Sequence, residues 1–175
     1  SAASGGTFNA ANYSISYVDG NLGVIPVGLL GVVANSAAKV YDGLAWSGGN
    51  GVTYSGFQGT DTAADLIGTL LYGGTSQGAV DVGNYTIVPS GQSATNYTLS
   101  YVNGTLGITP AALGIVANSA SKSFGTEHTF TGAEFTSTGL KGVETIGSVT
   151  LTSPGSAASA TVAAGPYAII PSAAT

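Results

Sequence analysis

Cysteine and methionine are absent from the 175 residues, histidine and tryptophan occur once each, and only 6% of positions are charged. Each shortage excludes something. Without cysteine there is no disulfide framework, no thiol nucleophile and no thiolate metal site. Three Lys and Arg against eight Asp and Glu leave no cationic surface to release counterions from nucleic acid. They leave no basic helix to lie on a membrane either. No apolar run reaches the ~18 residues that a membrane-spanning helix requires, and no signal-peptide pattern opens the chain.

What is present points to a folded β protein. Hydrophobic residues make up 43% of the chain and aromatics 9%, too apolar for a disordered segment. Twenty-eight glycines and six prolines punctuate short alternating runs, which argues for an all-β class. The clearest stretch runs from Asn96 to Pro110 (NYTLSYVNGTLGITP). Asn103-Gly104 is the preferred pair for a two-residue type I′ turn. It therefore predicts a β-hairpin pairing Val102 with Thr105, Tyr101 with Leu106 and Leu99 with Ile108. Tyr97, Leu99, Tyr101, Leu106 and Ile108 would share the buried face.

The same stretch occurs eighty-four residues earlier, from Asn12 to Pro26 (NYSISYVDGNLGVIP). Two further echoes follow in the same order: residues 30–39 match 113–122, and 83–90 match 165–172. Repeats in register mean tandem modules. Residues 27–110 read as a complete β-module. Residues 111–175 read as a module lacking its closing hairpin, and 1–26 as the closing hairpin of a preceding or neighbouring-chain module. Ser172–Thr175 resembles Ser1–Ser4, so the 175 residues read as one period of a two-module repeat. Within the modules, strands are expected at 30–35, 52–57, 69–72, 85–88, 115–118, 129–135, 144–151 and 167–170. A helical turn over 61–67, begun by Asp61 or Thr62, is also expected.

The motifs NY[ST]xSYV[DN]GxL, Lys39-Val40-Tyr41-Asp42-Gly43, Ser55-Gly56-Phe57 and Tyr85–Gly91 resemble those of MBG/YDG-type tandem repeats of large secreted bacterial adhesins of the filamentous-haemagglutinin-like kind. Lys122–Thr126 departs from the Lys-x-Tyr-[Asp/Gly]-Gly pattern. The resemblance implies small β-sandwich (Ig-like) modules, with a β-grasp arrangement as the alternative, in a stalk exported to the bacterial cell surface.

Candidates for chemistry are sparse. His128 beside Glu127 could be half a metal site or a general base but lacks convergent ligands, and reads as a solvated or strand-edge residue. Asp61 and Asp65 could share a Ca²⁺ if they lay on one side of a turn, but no Asp-x-Asp-x-Asp-Gly loop accompanies them, so Asp61 reads as a cap. Asp81, Glu134 and Glu144 have no polar pocket signature around them. Lys39 and Lys122 are equivalent by repeat and could enter Lys–Asn or Lys–Asp crosslinks, though edge-strand protection explains them as well. Asn12, Asn84, Asn96 and Asn103 open glycosylation sequons. Trp46, among Ser47, Gly48, Gly49 and Asn50, is the candidate for stacking on a sugar ring.

The expectation is a non-enzymatic structural repeat unit, without metal or cofactor. Its partners would be copies of itself, joined head-to-tail by a continuous chain or by donated strands. Tyr13, Ile15, Tyr17, Leu22 and Val24 would be buried in another unit's core. The alternative is a carbohydrate- or host-surface-binding module acting through Trp46.

Overall fold

A computed structural model describes residues 9–26 and 28–175. The first unit contains β1 (Leu29–Ala34), β2 (Ala37–Val40), β3 (Val52–Ser55), β4 (Ile67–Gly73), β5 (Gly83–Ser93), β6 (Thr98–Val102) and β7 (Gly104–Thr109). They form two sheets, ordered β3-β1-β6 and β2-β7-β5-β4. The second unit contains β8 (Gly114–Ala117), β9 (Phe135–Thr138), β10 (Thr150–Thr152) and β11 (Ile170–Ser172), paired as β8-β9 and β10-β11. The chain is all-β and sandwich-like, as expected. Its short helical stretches are single 3₁₀ turns.

The hairpin around Asn103-Gly104 does not form. β6 lies parallel to β1, with Leu99 opposite Leu30 and Tyr101 opposite Val32. β7 lies in the other sheet, parallel to β2 and antiparallel to β5, so Leu106 faces Ala37 on one side and Tyr85 on the other. Segments 29–40 and 98–109 therefore run side by side in one continuous register, and both pass from one sheet to the other at the same level. Such crossings turn the corner of a sandwich. Neither Asn103 nor Gly104 has a positive φ, which a type I′ turn would need at both. Gly104 is required for a different reason. A Cβ there would lie 2.7 Å from the Ala34 carbonyl oxygen and 3.1 Å from that of Asn35. The Ser36 hydroxyl, 3.1 Å from the Thr105 amide, accepts its hydrogen bond across the gap.

The inward face survives this change of partners. Tyr97, Leu106 and Ile108 are buried, and Leu99 and Tyr101 half-buried. Ala34, Ala79, Ile87, Leu106 and Ile108 form the core between the sheets, flanked by Ala37, Tyr41, Trp46, Val52, Tyr72 and Tyr85. The Tyr101 hydroxyl donates to the Gln92 carbonyl (2.7 Å) and accepts from the Gln92 amide (3.0 Å), tying β6 to the end of β5.

Other boundaries shift. β5 is longer than the expected 85–88, and β2 was not expected at all. β9 shares only Phe135 with the run 129–135 and extends beyond it to Thr138, and β10 takes only the end of 144–151 and runs on to Thr152. The turn at 61–67 shrinks to Ala63–Asp65, capped by Thr62, whose hydroxyl accepts from the Ala64 amide while Asp65 accepts from the Thr62 amide. Asp61 is not the cap. Its carboxylate accepts the Tyr97 hydroxyl at 2.6 Å.

Residues 13–26, the earlier copy of 97–110, form no strand. The physical reason lies in the first unit: the two arms of this motif pair with neighbours and never with each other. A copy without those neighbours has no ladder to join. Tyr17, Leu22 and Val24 are 88%, 91% and 89% exposed.

Candidate assembly site

The second unit repeats the first with one side open. Its β8–β9 register (Ala117 opposite Phe135) reproduces the β1–β3 register (Ala34 opposite Val52). Its β10–β11 pair (Leu151 opposite Pro171) reproduces β4–β5 (Tyr72 opposite Pro89). Among the described residues, no strand of this unit stands where β6 and β7 stand in the first. The consequence shows in burial. Leu30 is fully buried beside β6, whereas its counterpart Leu113 is 47% exposed. Val32 and Ile87 are buried; their counterparts Ile115 and Ile169 are only half-buried. The buried apolar residues of the second unit reduce to Val149 and Leu151.

On the open side lies a cavity of about 280 Å³, whose walls include Ala120, Lys122, His128, Gly165, Tyr167 and Ile169. His128 replaces the indole of Trp46. The Trp46 amide donates to Ala79 O and the His128 amide to Ser156 O, both in the loop before the strand that lines the core. The imidazole packs edge-on against Phe130 at 4.8 Å between centroids. Its Nε2 is buried without a hydrogen-bond partner.

Lys39 and Lys122 do the same work in the two units, each holding the loop that follows. Lys39 Nζ pairs with Asp42 (2.6 Å) and donates to Leu44 O (2.6 Å). Lys122 Nζ donates to Thr126 O and Ala157 O, both at 2.9 Å. Asp42 is held below the usual carboxylate range by the hydrogen bond from Lys39 and the Leu44 amide.

Two carboxylates organise the second unit. Glu134 accepts from the Thr131 amide and hydroxyl and from the Gly132 amide, which lowers its pKa to about 2. Glu144 accepts the Tyr41 hydroxyl of the first unit and the Lys141 amide. The hydrogen bond from Tyr41 lowers the Glu144 pKa, and the same bond raises that of Tyr41. This contact sits at one wall of a cleft between the units, with Val82, Pro110, Leu113 and Leu140.

Of the residues singled out in the sequence, Trp46 is half-buried on the core, its Nε1 directed to Gly48 O at 3.3 Å. Asp61 and Asp65 serve Tyr97 and Thr62 respectively. No group of three or more His, Asp or Glu among the described residues could hold a metal ion. Tyr13, Ile15, Tyr17, Leu22 and Val24 lie in the strandless segment. The cavity walls were missed as a site. The repeats 30–39/113–122 and 83–90/165–172 contain Ala120, Lys122, Gly165, Tyr167 and Ile169 but not His128, and only the β2-β7-β5 pairing of the first unit shows that the two segments flank one strand position.

A two-sheet β-module, present twice and closed once, defines the class: a tandem-repeat β protein. Residues 30–107 match the MBG domain (YGX type), consistent with an MBG-type repeat module, and the second unit repeats the sequence pattern of that segment. Neither the curated proteins nor the solved structures compared with the chain gave a match.

Proposed function

We propose that the chain is a structural repeat unit of a secreted bacterial adhesin stalk or extracellular filament, joined head-to-tail. In this reading the segment 1–26 of one unit completes the 111–175 module of the next. The observation that carries it is the coincidence of a groove in the second unit with residues 13–26, which bear the groove-filling sequence and form no strand. The low charge suits lateral contact, since faces of Ser, Thr and Asn meet without repulsion. The role is length and stiffness rather than catalysis, with contacts along the array adding up by multivalency. MBG-type modules and the adhesin resemblance support a place outside the cell. The glycan-binding alternative gains nothing from Trp46, whose indole packs on the core.

Sedimentation velocity and small-angle scattering over a concentration series test the assembly. The expectation is rod-like species growing in steps of 17.0 kDa, while a monomer at all concentrations sinks it. Antibody labelling of intact cells of the source organism tests the location.

A further inference from the structure

Resting on the head-to-tail reading, we infer that the 280 Å³ cavity of the second unit is the seat of Leu22 and Val24 from another copy of this chain, in a single register. The first unit supplies the template. Leu106 sits between Ala37 and Tyr85, and Ile108 between Lys39 and Gly83. Carried over by the repeats, Leu22 falls between Ala120 and Tyr167, and Val24 between Lys122 and Gly165. All four flanking residues, with Ile169, line the cavity. The other arm places Ile15 opposite Leu113 and Tyr17 opposite Ile115, which are exposed and half-buried at that edge.

Three details of the donor and acceptor fit this register. Gly20 falls where Gly104 crosses the Ala34 and Asn35 carbonyls, the glycine of this motif at which a Cβ would clash with backbone. Pro166 falls opposite Gly23, as Asn84 lies opposite Gly107. The neighbouring Thr86 sends its amide to Thr75 Oγ1 and its carbonyl to the Ser76 amide, away from β7. By alternation, positions 84 and 86 are therefore not hydrogen-bonded to β7, and a proline at the matching site loses nothing. Finally, the charged group on the wall, Lys122, is already served by two carbonyls, and the neutral Tyr167 hydroxyl reaches Thr161 O at 3.0 Å, while His128 Nε2 stays buried without a partner. The seat can accept apolar side chains without stranding an ion.

The absence of cysteine permits a clean test. Thr86 faces Thr105 on the exposed side of the sheet, so the register predicts that Asn21 of one copy faces Ala168 of another. A non-hydrogen-bonded antiparallel pair brings Cα atoms to about 4.5 Å, within disulfide range. The full chain carrying Asn21→Cys and Ala168→Cys, mildly oxidised, should give a non-reducing ladder in steps of 17.0 kDa. Gly23→Cys with Ala168→Cys, two residues out of register, should not. Adding Leu22→Asp to the first pair should weaken association about tenfold or more. Unfolding followed by Trp46 fluorescence should stay unchanged, since Leu22 lies outside that core.

A crosslinked monomer, an equal ladder from the out-of-register pair, or a ladder indifferent to Leu22→Asp would overturn the inference. Failure of this seat differs visibly from failure of the stalk reading. If rods form without the Asn21–Ala168 disulfide, the register is wrong and the array stands. If neither rods nor ladder form, both fall.

Discussion

Leu106 and Leu22 occupy the same place in the repeated motif and have opposite fates. Leu106 is fully buried between two strands, while Leu22 is 91% exposed. Leu106→Ala should therefore cost the first unit about 2–5 kcal/mol, the usual range for a buried leucine whose cavity collapses only in part. Chemical denaturation read by Trp46, which packs on that core, measures it. Glu134 offers a second test at this scale. Its folded pKa of about 2 lies below the ordinary 4.5, because the amide and hydroxyl of Thr131 favour the anion. The sign follows from linkage: the contribution is present above the unfolded value and is lost as pH falls from about 4.5 toward 2. An NMR carboxyl titration should find the low midpoint. One near 4.5 would mean that the turn at 131–134 is not held by this carboxylate.

At the scale of elements, the crossing from β6 to β7 separates two explanations of one dipeptide. A type I′ turn needs φ > 0 at Asn103 and makes it costly to replace. The sheet crossing leaves Asn103 exposed with negative φ, so Asn103→Ala should change stability by no more than about 0.5 kcal/mol. Gly104→Ala should be far worse, on the order of 1–3 kcal/mol, since its Cβ would press on two carbonyl oxygens. Thermal melts of both variants decide the matter, and comparable losses at the two positions would restore the hairpin. The sequence pattern identified the inward residues correctly because alternation holds within each arm whatever lies beside it. It could not identify the neighbours. Asn-Gly reads as a local turn until the carbonyls of residues 34 and 35, nearly seventy positions away, are seen beneath it.

At the scale of the molecule, the first and second units are held by Tyr41 and Glu144. Tyr41→Phe should broaden the distance distribution measured by small-angle scattering without unfolding either unit. The same broadening should appear in acid, below the lowered pKa of Glu144, when the carboxylate protonates. It should also appear in strong base, above the raised pKa of Tyr41, when two anions would face each other. A distribution unchanged in Tyr41→Phe would show that apolar contacts around Leu113 and Leu140 fix the angle alone. Phe124 stands in the place of Tyr41 in the second unit and has no hydroxyl, so a joint built there would lack this bond.

Composition and periodicity by themselves determined that this is a sparsely charged, cysteine-free, all-β chain with an internal repeat, because those properties depend on residue type and local alternation. They also determined which residues face inward. Tertiary structure alone decided that the arms of 96–110 part company, joining two sheets rather than each other. It decided as well that Asp61 receives Tyr97 instead of capping a turn, and that Trp46 rests on a core. The reason is the same in each case: these outcomes depend on strand neighbours far away in sequence, and no local pattern encodes a neighbour. Residues 14–26 carry the same alternation and form no strand among the described residues, so alternation alone does not make a ladder.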